Sequence, residues 1–153
     1  MLLSSRPALA YDEQVTAGVA AGYAFLASEQ PAHTAALALD ATLGLGERWS
    51  LGTRVGLLLH PAGGSKTPMG FVSLDLLYLV DVLQVVPFAG VGLDGLLSDG
   101  LGLGTHVRAG MDYLWSRDLL LGADVRACVF FAEALRLTGC LAASVHASLV
   151  FDV

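Results

Sequence analysis

The stretch Leu141-Ala-Ala-Ser-Val-His-Ala-Ser-Leu-Val-Phe-Asp-Val153 is apolar at every odd position. Its even positions carry Ser144, His146, Ser148 and Asp152, diluted by Ala142 and Val150. A period of two is the mark of a strand with one apolar and one mostly polar face. The same alternation recurs along the chain and predicts eight strands, over residues 14–26, 34–45, 49–60, 69–80, 85–97, 105–115, 119–131 and 141–153. Val15, Val19, Leu37, Leu39, Val55, Leu57, Leu74, Leu76, Val91, Val107, Leu121 and Val125 lie on the apolar face.

Between these runs the chain is punctuated by Gly, Pro and Ser. Turns are expected at 46–48, 81–84 and 116–118, and longer loops at 27–33, 61–68, 98–104 and 132–139. Short and long connections that alternate suit an up-and-down meander with a turn end and a loop end. A strand of about eleven residues, tilted near 40°, covers roughly 28 Å, enough for the hydrocarbon core of a bilayer.

Composition decides which way the apolar face turns. The chain is 55% hydrophobic and only 14% charged, with mean hydropathy +0.66. Soluble domains carry about a quarter charged residues. A soluble ligand-binding barrel would expose the even positions, and these are too rich in Gly, Ala and Leu to face water. No segment suits a spanning helix, since even 76–93 holds Asp81, Gln84 and Pro87. The reading is all-β: an eight-stranded antiparallel up-and-down barrel whose apolar face meets lipid. Residues 14–153 form the barrel and 1–13 an N-terminal extension. Ala8-Leu9-Ala10 fits either the remnant of an export signal or an ordinary N-terminus.

Aromatic residues gather at both ends of the strands. Trp49, Tyr78, Tyr113, Trp115 and Phe151 fall near the turn end, Tyr23 and Phe25 near the loop end. These seven form the expected interfacial girdles. Phe131 joins the loop end, while parity turns Phe71, Phe88 and Phe130 inward.

The inward positions also hold Asp40, Arg54, Asp75, Asp94, Arg108, Asp112, Asp124 and Arg126, with His60, His106 and His146. Charges in a closed lumen must find partners. A hydrogen-bonded ion network is expected, in preference to a metal or catalytic carboxylate cluster. Five Asp against three Arg leave two carboxylates to be met by His, backbone, water or a proton. Eight strands leave room only for side chains, which argues against an open pore. No cofactor and no metal are expected.

Other motifs carry little chemistry. Gly90-Val-Gly-Leu-Asp-Gly95 matches a dinucleotide fingerprint, but the following 96–104 cannot hold the helix it requires. Gly18 and Gly22 fall on one inner face, where they are expected to make room for bulky lumen residues. A net charge of −6 and a single lysine, Lys66, exclude the basic stripe that nucleic acid needs. Cys128 and Cys140 share the inner face and flank the last hairpin at equal distance from position 134. They are placed either to form a disulfide or to pack as two buried thiols.

The segments Gly46-Glu-Arg-Trp-Ser-Leu-Gly52, Val86-Pro-Phe-Ala-Gly-Val-Gly92 and Tyr113-Leu-Trp-Ser-Arg-Asp-Leu-Leu-Leu-Gly122 resemble the periplasmic hairpins and strand openings of bacterial outer-membrane barrels. From about Val15 to Val153 the chain resembles the small outer-membrane β-barrel superfamily. That resemblance implies residence in a bacterial outer membrane, contact with its lipid, insertion by the barrel-insertion machinery and a monomeric state. Such barrels usually end on an aromatic residue read by that machinery; here Asp152 and Val153 follow Phe151. A structural, adhesion or envelope-integrity role is implied, without catalysis. The alternative is a lipid A deacylase-like enzyme, whose His-x-Ser pair His146-Ala-Ser148 resembles. Those enzymes use a lipid-facing pair plus a Glu. Here the pair faces inward, and Glu13, Glu29, Glu47 and Glu133 all fall outside strand interiors.

Overall fold

A computed structural model describes residues 14–28, 31–60, 68–80, 84–97, 100–131 and 137–152. Eight strands follow in order: β1 (Gln14–Ser28), β2 (Ala32–Gly44), β3 (Trp49–Leu59), β4 (Met69–Leu79), β5 (Val85–Leu97), β6 (Leu101–Leu114), β7 (Leu119–Phe130) and β8 (Leu137–Asp152). Each pairs antiparallel with the next, and β8 returns to β1 to close the barrel. Closure leaves no strand edge unpaired, as a wall in lipid requires.

The faces sort as the alternation predicts. Val19, Leu39, Val55, Leu74, Val91, Val107, Val125 and Val145 all point outward and are exposed. Thr16, Ser50, Arg54, Ser73, Asp75 and Asp124 are buried in the lumen. The molecule is apolar outside and polar at its centre, the reverse of a soluble domain.

Three expected loops are shorter than their sequences suggest. The segment 98–104 reads as a loop, yet β6 begins at Leu101 and pairs with β5 from Leu97↔Leu101 to Asp94↔Gly104. Leu101 and Leu103 point outward, and Gly102 and Gly104 inward. A Cβ on Gly104 would stand 2.8 Å from the Phe130 ring and 2.6 Å from the Val129 carbonyl. Its glycine makes space for an inward phenylalanine and does not mark a loop. Likewise β1 and β2 run on to Ser28 and from Ala32, and β8 starts at Leu137. Connections 29–31 and 98–100 are therefore as tight as 45–48 and 115–118 at the opposite end. Of the expected long-loop end, only 60–68 and 131–136 remain. The N-terminal extension, Lys66 and Glu133 lie outside the described residues.

Gly18 and Gly22 serve the wall more than the lumen. A Cβ on Gly18 would lie 2.7 Å from the Ser148 Cα, and one on Gly22 2.8 Å from the Ser144 Cβ. Their absent side chains leave room for Ser148 and Ser144, their partners on β8. Gly90, Gly92 and Gly95 all lie within β5, so the fingerprint-like segment is strand throughout.

Inside, the side chains stack in three layers. Ala24, Leu26, Leu58 and Leu96, backed by Phe71 and Phe130, fill the loop end. Leu77, Leu79, Val86 and Phe88 fill the turn end. The charged residues occupy the space between them. Small cavities of about 70 Å³ and 40 Å³ remain toward the loop and turn ends.

Candidate functional site

Every strand except β1 delivers a charged or hydroxyl side chain to the central layer, because inward positions recur at every second residue. Asp124 on β7 is its hub. Arg54, from the far wall on β3, places Nη2 at 3.1 Å from Asp124 Oδ2. Arg108 Nη2 donates to the same oxygen at 3.0 Å, and the Ser144 hydroxyl at 2.9 Å. Arg54 also donates through Nε to Asp40 and through Nη1 to the Ser144 hydroxyl at 3.1 Å.

A second group forms around Asp75 and Asp94. His106 sets Nε2 at 2.6 Å from Asp75 Oδ1 and Nδ1 at 2.9 Å from Asp94 Oδ2. Arg126 donates to Asp94 at 3.2 Å and to the Ser73 hydroxyl at 3.2 Å. Arg108 and Arg126 stand directly opposite each other on β6 and β7. Like charges in that position repel, and Asp75 offsets the repulsion from 3.9 Å and 3.7 Å respectively. Arg108 also lies 5.2 Å above the Phe88 ring, joining the charged layer to the apolar layer below.

His146 Nε2 is 2.7 Å from Asp112 Oδ1, and its Nδ1 is 3.4 Å from Asp124, an ion-pair separation rather than a hydrogen bond. His106 presents both ring nitrogens to carboxylates. A neutral imidazole has one N–H, so both contacts are donated only by the doubly protonated ring. The charged His106 joins Arg54, Arg108 and Arg126 in the charge balance against the five carboxylates.

Glycines shape this layer too. A Cβ on Gly92 would come within 2.7 Å of His106 Nε2, and one on Gly122 within 2.6 Å of His146 Cε1. The two rings occupy the space that a side chain at Gly92 or Gly122 would need.

All nine anticipated lumen residues, Asp40, Arg54, Asp75, Asp94, Arg108, Asp112, Asp124, Arg126 and His146, thus share one connected layer. His60 lies near the loop-end rim, where its Nδ1 has no hydrogen-bond partner among the described residues. Parity places Ser73 and Ser144 inside, but no sequence signal names them as partners of Arg126 and Asp124. Ser148 is buried and faces inward beside His146, so neither side chain reaches the lipid face. No group of three His, Cys, Asp or Glu among the described residues is arranged to hold a metal ion. Cys128 and Cys140 are directly opposed on β7 and β8, 5.0 Å apart at Cα, and joined by a disulfide.

The aromatic residues mark both rims. At the turn end Trp49 meets Tyr78 edge-on at 5.1 Å, and Tyr113 meets Trp115 at 6.3 Å. Phe151 is exposed at the same end. At the loop end the Tyr23 hydroxyl hydrogen-bonds His33, and half-buried Phe25 packs on the same imidazole at 5.3 Å. His33 and Arg48 are additions that an aromatic count misses; each is a polar residue beside a rim aromatic.

The closed eight-stranded barrel superposes on solved structures over most of its length. Neisserial surface protein A superposes with TM-score 0.68 at 16% identity, over 92% of this chain and 96% of that one. The chain has the fold of the small outer-membrane β-barrels. The N-terminal barrel domain of OprF from Pseudomonas aeruginosa matches this fold with TM-score 0.66 at 14% identity, over 92% of this chain and 98% of the domain. A transmembrane β-barrel designed de novo matches as well, at 0.66 and 12% identity, over 92% and 97%. No protein-family model and no curated protein sequence matches the chain. The outer-membrane barrel fold is shared by natural proteins and by a design alike, so it does not by itself specify a role.

Proposed function

We propose that the protein is a small integral barrel of the bacterial outer membrane with a sealed lumen and a structural, envelope-integrity role. The observation that carries this reading is the lumen: a paired charged layer held between two apolar layers. An ion crossing it would have to part the Asp124 cluster and pass Phe88 and Leu77 on one side, and Leu58 and Leu96 on the other. Such a stack favours a rigid membrane element over a pore. The apolar outer wall and the likeness to outer-membrane barrels support the location.

Adhesion, a second role open to such barrels, has less to build on. Strands β1 and β2 run to Ser28 and from Ala32, and β5 and β6 to Leu97 and from Leu101, so few residues are left between strands at two of the four loop-end connections. Catalysis is disfavoured because His146 and Ser148 face the lumen, away from any lipid substrate. The protein contacts outer-membrane lipid as a monomer after delivery by the barrel-insertion machinery. Fractionation tests the reading: the expressed protein should appear in detergent-extracted outer membrane. Recovery as soluble periplasmic protein would sink it.

A further inference from the structure

Two shallow apolar grooves run side by side on the outer wall, centred on β4–β7 and reaching β3 and β8. One, of about 640 Å³, is lined by Leu74, Leu93 and Val129. The other, of about 570 Å³, is lined by Ala89, Ala109 and Val125. They share Leu76, Val91, Val107 and Ala127 and so form one continuous trough. Its depth comes from small side chains: Ala89 and Ala109 are directly opposed on β5 and β6, with longer residues around them.

The second groove ends at Trp49 and Tyr78, at the turn-end rim. There Arg48 donates through Nη1 to the Tyr78 hydroxyl at 3.3 Å, and this contact is exposed. A hydrocarbon trough thus opens at an exposed cation flanked by two aromatic residues with polar tips. A guanidinium at that depth attracts an anion at headgroup level, while the trough accepts only apolar chain. One molecule carries both parts in that order.

We propose that this trough is a specific binding site for a glycerophospholipid of the leaflet on the turn side. The phosphate rests on Arg48 and Tyr78, beside Trp49, and an acyl chain lies over Ala89 and Ala109. A second copy of this chain fits less well. Inserted in the same sense, it would bring its own Arg48 to the same level and set like charges together. The proposal rests on the reading of the protein as a membrane barrel.

Native mass spectrometry of the detergent-solubilised barrel, titrated with phosphatidylglycerol, tests the site. One lipid should be retained per barrel. Arg48→Gln should weaken retention about tenfold, the loss of one charge-assisted hydrogen bond. Ala109→Phe, which fills the trough, should abolish it, and Ala21→Phe on the opposite wall should leave it unchanged. Diacylglycerol, which lacks the phosphate, should not be retained. The proposal is overturned if Ala109→Phe binds as the parent does, if Ala21→Phe loses as much, or if diacylglycerol binds equally well. It is also overturned if sedimentation shows a dimer that Ala109→Phe dissolves, since the trough would then belong to a second copy. The heat-dependent gel shift of each variant reports the barrel separately, so a barrel that folds without retaining lipid refutes the site alone.

Discussion

Asp124 accepts contacts from two guanidiniums, a hydroxyl and an imidazole. Replacing it by Leu would leave Arg54 with Asp40 alone and Arg108 without a close carboxylate in a closed lumen, a loss of about 3–5 kcal/mol. Leu121→Ala on the outer wall only exchanges one apolar neighbour for lipid and should cost far less. Denaturant unfolding in lipid vesicles compares them, and equal losses would show that the network does not hold the barrel together. His106 makes a sharper test. Nitrogen NMR of the labelled ring should show both nitrogens protonated at neutral pH; unequal shifts, as in a neutral ring, would refute the charge balance. His106→Gln sets an amide oxygen against one carboxylate and should destabilise, and adding Asp94→Asn should restore part of the loss.

The disulfide belongs to the β7–β8 hairpin. Parity put Cys128 and Cys140 on one face, and register then sets them opposite each other. Protein alkylated without reductant should carry no adducts; two adducts would rule the bond out. Replacing both by Ser should lower stability by roughly 2–4 kcal/mol. At this scale the strands were legible because lipid favours apolar residues at outward positions, from Val15 on β1 to Phe151 on β8, with Thr53 and His33 among the few exceptions. The strand ends were less so. Gly102 and Gly104 look like loop residues unless Phe130 is known to lie against Gly104. Nor does any local period bring Arg54 to Asp124, which are 70 residues apart and meet only across a closed barrel.

For the molecule as a whole, the stacked layers predict electrical silence. Purified barrel in a planar bilayer should give no steady channel events, and reproducible unit conductance would sink the sealed lumen. Orientation is testable too. Gln14 and Asp152 are paired at the end that carries 45–48, 80–84 and 115–118. The longest connection, 60–68, lies at the other end, which in such barrels faces outward. A cysteine introduced at Gly100 should therefore react with an impermeant maleimide on whole cells, and one at Arg117 should not. The reverse pattern would invert the barrel.

Leu97 and Leu101 are more than half exposed, and they form the last pair before the 98–100 connection. On this flank leucines fill the outward positions up to the last strand pair, whereas the rim across the barrel carries Tyr23 and His33. The bilayer must therefore rise to the tip of the β5–β6 hairpin to keep both leucines out of water. A membrane too thin to do so has to stretch locally, or the barrel has to lean, at a cost of a fraction of a kcal/mol per Å. Elastic mismatch on a single flank makes acyl-chain length a variable of the fold. Vesicles of longer-chain lipid should hold the barrel more firmly than short-chain ones, and Leu101→Ser should flatten that dependence.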